Sequence, residues 1–326
     1  MSVAQAISEA TLLTPSELIL VEGELRDLLN RAQGTIKEAC VNLLDSGGKR
    51  IRPVLAIYSA RCFGAITNET IYAALAAELI HMASLVHDDV IDGANLRRGR
   101  STINSVHGNQ VAVLTGDYLF AEAFKLLASH KLTPCMGFLL EAIQQMCEGE
   151  VNQARDKFAT DVSQADYMKR IAQKTGILLA ASCKCGAWTA GAKPEEIAGL
   201  EQYGLNLGYA FQIVDDILDF VGTEQDLGKP IGLDLASGNI TLPAILLLQD
   251  AVYGPWLKQV LQAQQITSEG IESVREALIS TNSIARSYAL AAQCVDKAKA
   301  GLAAVPSVAY RNILGELADL VLVRQA

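Results

Sequence analysis

The sequence predicts an all-α protein, a single large helical bundle around a deep central cavity. Half of its 326 residues are apolar and the mean hydropathy is +0.23, ample for a sizeable core. Ala and Leu dominate long runs of helical periodicity, while the β-branched alternation of strands is scarce. No low-complexity linker divides the chain, so residues 1–326 are expected to form one domain, with 1–14 frayed.

Each element has its own signal. Pro15, with Thr14 as N-cap, opens a helix; the run Leu18–Leu44 continues with a weak break near Gly34. Gly47 and Gly48 let the backbone bend tightly before Lys49, Arg50 and Arg52, and Pro53 suits the first turn of the next helix. Thr67 or Asn68 caps a long apolar helix through Ile71–Leu85 that ends in Asp88-Asp89-Val90-Ile91-Asp92. Gly93 and Gly99 bracket a loop with Arg97, Arg98 and Arg100. Helices are expected from Val111 to His130, from Pro134 to about Phe158 and from about Gln164 to Trp188. Pro194 and the two glutamates after it start a further helix. It runs through Gly204 and Gly208, glycines that fit close helix contact, into Asp215-Asp216-Ile217-Leu218-Asp219. Gly222–Gly238 reads as a polar loop around Lys229-Pro230, and the remainder as helices with breaks at Gly254-Pro255 and Pro306.

The net charge of −9 comes with no basic stripe, which argues against a nucleic-acid partner. No basic leader precedes an apolar stretch and no run of 18 uninterrupted apolar residues occurs, so no membrane span and a cytoplasmic location are expected. The seven cysteines, Cys40, Cys62, Cys135, Cys147, Cys183, Cys185 and Cys294, are scattered through apolar segments and read as reduced core thiols.

The chemistry lies in the two acidic clusters. Each places carboxylates at i, i+1 and i+4, at roughly 0°, 100° and 40° around a helix, so all three are expected on one face. Carboxylates that close repel one another and need a cation between them. Hard oxygens in this pattern suit Mg²⁺ or Mn²⁺ shared with substrate phosphates. Solvated acidic helix faces are common, but two copies behind apolar runs are poorly explained that way. Lys49, Arg52, His81, Arg97, Arg98, Lys174 and Lys229 supply the complementary cations, enough for two phosphate esters. Arg50 and Arg100 read as solvated surface charges, and His87 as a residue that orients a neighbouring aspartate. The Gly222–Lys229 spacing, followed by Pro230, does not match a P-loop.

Gly47-Gly48-Lys49-Arg50-Ile51-Arg52-Pro53, the first cluster with Arg97-Arg98-Gly99, Lys174-Thr175, Gln212 with the second cluster, and Gly228-Lys229-Pro230 occur in this order. By that set the chain resembles the trans-prenyl diphosphate synthases over nearly its whole length. The context of His81–Asp92 most resembles the catalytic component of bacterial heptaprenyl diphosphate synthases. The resemblance implies that Asp88, Asp92 and Asp215, supported by Asp89, Asp216 and Asp219, bind about three Mg²⁺ ions on an allylic diphosphate. It implies that Arg97, Lys174 and Lys229 neutralise the same group. Lys49, Arg52, His81 and Arg98 would hold isopentenyl diphosphate, while Gln212 and Thr175 face the reacting carbons. A dimer is implied too, either of identical chains or with a smaller component.

Ala83 and Ser84 lie about one turn (~5.4 Å) before the first cluster, where short-chain members of the family carry bulky aromatics. Small residues there leave a channel open and imply a C30–C40 product, C35 first, for menaquinone side chains. Phe120, Phe124 and Met146 are candidates for its floor. Three other readings compete. A terpene cyclase would show Asn, Ser or Thr in its second metal motif, and a non-catalytic partner subunit of such a synthase would have lost one acidic cluster. A di-metal carboxylate bundle would want Glu-x-x-His pairs, which are absent.

Overall fold

A computed structural model describes residues 15–97, 99–222 and 231–323. The elements are α1 (Pro15–Asn30), α2 (Gly34–Asp45), α3 (Ile51–Arg61) and α4 (Asn68–Ile91), then strands β1 (Leu96–Arg97) and β2 (Arg100–Ser101). There follow α5 (Ile103–His107), α6 (Asn109–Ser129), α7 (Thr133–Arg155), α8 (Gln164–Ile171), a π-helical turn at Ala172–Gly176, α9 (Ile177–Thr189) and α10 (Pro194–Val221). The chain continues with α11 (Leu233–Ala236), α12 (Leu242–Leu248), α13 (Tyr253–Gln262), α14 (Ser268–Ser280), α15 (Ser283–Gly301) and α16 (Val308–Leu322).

The all-α expectation holds, with one small departure. The Arg97–Arg100 loop is an antiparallel hairpin pairing Leu96 with Ser101 and Arg97 with Arg100. Its turn uses Gly99 at φ +74°, backbone that glycine adopts without a steric penalty. Gly254-Pro255 opens α13 rather than breaking a helix, as expected of proline in a first turn. The stretch after Pro230 contains the one-turn α11. Thr14, Gly228, Lys229 and Pro230 lie outside the described residues, as does Arg98.

Capping fixes where helices begin. The Thr67 hydroxyl accepts from Thr70 N, and at α8 Ser163 and Asp166 form a reciprocal capping box. The 24-residue α4 is buried nearly all round, from Ala73 to Asp89, so it forms the axis of the bundle. It is long and apolar enough to cross a membrane, yet 72% of its most apolar window is buried inside the molecule. α6 packs along α4, and α9 lies between α3 and α10, which in turn packs on α15.

Glycines set the closest approaches. A Cβ on Gly186 of α9 would stand 1.9 Å from Ala56 O of α3. One on Gly204 of α10 would meet Ala180 Cα at 2.7 Å, and one on Gly208 would meet Gly176 Cα at 2.4 Å. The contact expected of Gly204 and Gly208 is therefore real, and it clamps α10 against α9 and the π turn.

Candidate active site

A cavity of about 930 Å³ opens between α4, α7, α9 and α10 and the turn before α3. Its polar end gathers Lys49, Arg52, His81, Asp88, Arg97, Lys174, Thr175 and Asp215. Met82, Leu85, Phe120, Ile143, Met146, Leu179 and Phe211 make the rest apolar. Asp88 and Asp215, 127 positions apart in sequence, thus meet because α4 and α10 deliver their C-terminal turns to one side of the bundle.

One carboxylate of each acidic cluster, Asp88 and Asp215, lines this space. Asp88 lines the cavity, whereas Asp89 is 5% exposed and lies on the far side of the Arg97 guanidinium. Arg97 Nε donates to both Asp89 oxygens at 2.9 and 3.0 Å, and Nη2 is 2.8 Å from Oδ1. Asp92 is the exposed C-cap of α4, just beyond the last helical residue. Asp92 stays in helical geometry, at φ −82°, ψ −8° with its N–H donating to Asp88 O at 2.8 Å, and its charge adds to the pressure on Asp88, whereas Asp89, turned about 100° from Asp88, has a cation of its own.

The second cluster behaves alike. Asp215 lines the cavity, and Asp216 accepts from Tyr167 Oη at 2.6 Å and Gln212 Nε2 at 2.8 Å. Asp219 is 1% exposed and accepts from Asp234 N at 3.2 Å. The Thr175 hydroxyl donates to Gln212 Oε1 at 2.7 Å, so a chain of hydrogen bonds runs from the π turn to Asp216.

The electrostatics are those of buried carboxylates. Burial, with Glu150 adding to it, pushes the Asp88 carboxyl up to about 6 against the pull of Lys174 and Arg97. Burial and Asp234 push Asp216 up to about 7, although Tyr167 and Gln212 stabilise its charged form. Lys174 Nζ stands 3.5 Å from Glu150 Oε1 and 3.4 Å from Gln153 Oε1.

Residues 33–278 match the polyprenyl synthetase family. The chain belongs to that family. It is 43% identical over 303 residues to heptaprenyl diphosphate synthase component 2 of Geobacillus stearothermophilus, covering 93% of this chain and 94% of the relative. Two solved structures match nearly its whole length. A polyprenyl synthase from Caulobacter crescentus CB15, complexed with calcium and isoprenyl diphosphate, has TM-score 0.91 and 35% identity and covers 100% of this chain and 98% of its own. Heptaprenyl diphosphate synthase from Staphylococcus aureus has TM-score 0.89 and 33% identity over 95% of this chain and 98% of that one. This polyprenyl synthetase is therefore a trans-prenyltransferase with isoprenoid diphosphate substrates.

The donor set fits a divalent ion of the hard, oxygen-seeking kind. Asp88 and Asp215 line one cavity, and burial, with Glu150 adding to it, has raised the pKa of Asp88, a penalty that a cation offsets. Among the described residues no three His, Cys, Asp or Glu side chains converge as a closed cage. Ions held here must complete their shells from diphosphate oxygens and water, as Mg²⁺ commonly does.

Several residues in this site escaped the sequence. Glu150 lines the cavity and pairs with Lys174, but on an amphipathic helix it looks like a solvated charge. Its neighbour Gly149 was the readable signal, since a Cβ there would sit 2.7 Å from Gln173 Cβ. Cys147, expected in the core, is exposed and lines the cavity, while the other six cysteines are buried. His87 orients none of the cluster aspartates; Nε2 lies 3.1 Å from Val113 O and 3.7 Å from Asp117 Oδ1, facing α6. Ser84, Phe120 and Met146 line the cavity as expected, but Ala83 is fully buried away from it and Phe124 stacks behind Phe120.

Proposed function

We propose that this enzyme condenses isopentenyl diphosphate with an allylic diphosphate and repeats the step to a long all-trans polyprenyl diphosphate. The observation that carries the reading is one cavity with a doubly acidic, strongly cationic rim and an apolar interior. In each cycle the allylic C–O bond breaks and pyrophosphate departs. The isopentenyl double bond attacks the allylic carbon, a C–C bond forms, and a proton passes to the pyrophosphate. Lys49, Arg52 and His81 hold the isopentenyl diphosphate; Arg97 and Lys174 neutralise the allylic one, and cations so placed favour the charge that builds on the leaving group. Arg98 and Lys229 are assigned to the same two groups from their motifs. Gln212 and Thr175, hydrogen-bonded to each other, sit beside the reacting carbons. Asp88, Asp92 and Asp215 would hold about three Mg²⁺ ions, supplying electrostatic stabilisation of the leaving diphosphate. The apolar walls keep water from the cationic intermediate.

The cavity of about 930 Å³ is at the upper end of the usual ~300–1,000 Å³ for ligand sites, and Ser84 lines it together with Phe120 and Ile143. A C30–C40 product follows, C35 favoured, suited to menaquinone side chains. The relative called component 2 favours assembly with a smaller subunit over a homodimer. A cytoplasmic location and a single domain complete the reading.

The test is incubation of the purified chain with Mg²⁺, farnesyl diphosphate and labelled isopentenyl diphosphate. The expected result is labelled heptaprenyl diphosphate, lost on chelation and regained with Mg²⁺. If a second component is required, label appears only in a reaction containing one. Conversion of the allylic diphosphate to a cyclic hydrocarbon without uptake of label would sink the reading in favour of a cyclase.

A further inference from the structure

Of the three basic residues in the Gly47–Pro53 turn, two serve the substrate in the reading above and the third, Arg50, does not. Its sequence context suits a solvated charge, yet it is 7% exposed. Nε donates to Glu22 Oε1 of α1 at 2.6 Å, and Nη1 to Glu78 Oε1 of α4 at 3.0 Å. Nη2 reaches both Glu22 Oε2 and Leu44 O, the last turn of α2, at 3.4 Å. All three guanidinium nitrogens are committed to protein, so Arg50 holds elements together rather than gripping an anion. Glu78 is buried just as deeply, and its second oxygen has no hydrogen-bond partner.

Stability alone is a poor account of this arrangement. A buried ion pair is often matched or bettered by apolar residues of similar volume, and an unpaired carboxylate oxygen adds a desolvation penalty. Arg50 also sits at φ 46°, ψ 35°, left-handed backbone that costs any residue but glycine. What such a pair does well is select one geometry. The peptide chain joins Arg50 directly to Lys49 and, through the first turn of α3, to Arg52. Its side chain joins it to α4 three residues before His81.

We propose that Arg50 is a positioning residue for isopentenyl diphosphate, with Glu78 as its anchor and Glu22 as its outer brace. It holds Lys49 and Arg52 in register with His81 across the cavity without touching the substrate. The inference rests on the assignment of Lys49, Arg52 and His81 to that diphosphate.

Steady-state kinetics test it, with each diphosphate varied in turn for Arg50→Met, Arg50→Lys and Glu78→Gln, and Arg52→Met as the direct-contact control. The expected result for Arg50→Met is a rise of about tenfold or more in KM for isopentenyl diphosphate, with KM for the allylic diphosphate and kcat little changed, as for lost binding in the ground state. Arg50→Lys recovers only part, because an ammonium cannot span two carboxylates as a guanidinium fork does. Glu78→Gln follows Arg50→Met. Where Arg50→Met fails to fold, Glu22→Gln at the more exposed end of the bridge gives the same KM split at smaller amplitude. Folded variants whose kcat falls with no split between substrates overturn the positioning role alone, provided that Arg52→Met raises KM. If Arg52→Met also leaves KM for isopentenyl diphosphate unchanged, the substrate assignment fails and this inference with it.

Discussion

Single hydrogen bonds decide which carboxylates are available at the cavity. Asp216 is buried and is spared from being an uncompensated charge by Tyr167 and Gln212. Tyr167 is itself fully buried, so Tyr167→Phe removes one donor and leaves the acceptor no water to replace it. The expected cost is about 1–3 kcal/mol, read as a lower urea midpoint at constant slope. Arg50 carries the lesson for sequence reading at this scale. Nothing in Gly-Lys-Arg-Ile-Arg distinguishes a charge in water from one between two glutamates, because its partners Glu22 and Glu78 are both 28 positions away. Helix periodicity likewise placed three aspartates on one face, but it could not supply the Arg97 counter-ion that pairs with Asp89.

Between elements, the decisive contact is backbone on backbone. Gly208 lies against Gly176 at the end of the π turn that carries Lys174 and Thr175. π turns are rare inside α-helices and recur at functional sites; this one separates α8 from α9 in what the sequence presents as one straight helix from Gln164 to Trp188. One widened turn barely disturbs the apolar period, which is why it was not legible. Gly208→Ala must push α10 off the turn, because neither side of the contact is a side chain that can rotate away. It is expected to cost about 1–3 kcal/mol and to lower kcat beyond the accompanying drop in Tm. Gly204→Ala, one turn earlier and against Ala180, should lower Tm comparably while kcat holds. Thermal unfolding alongside single-turnover rates separates the two; equal kinetic losses would deny the π turn any special place.

At the level of the whole molecule, α4, α6 and α7 together supply apolar lining to the cavity in which the proposed product would grow. Adjacent small residues on α4 have opposite fates: Ser84 lines the cavity, whereas Ala83 is at 0% exposure in the core. Ser84→Phe is expected to yield shorter products with the fold intact, seen by chromatography of the dephosphorylated alcohols. Ala83→Phe is expected to lower Tm through overpacking, by about 1–3 kcal/mol or more, before it alters product length. Unchanged product length in Ser84→Phe would remove the open-channel account.

Helical class, the order of the long elements and the residue types that carry the chemistry were legible along the chain, because apolar period, caps and proline positions are local properties and the motifs are contiguous. Which aspartate of each cluster meets the cavity, where Arg50 finds its partners, how Glu150 enters the site and whether Ala83 or Ser84 forms its wall were settled only by packing. Each depends on a neighbour remote in sequence, and on a rotation about a helix axis that no local pattern specifies.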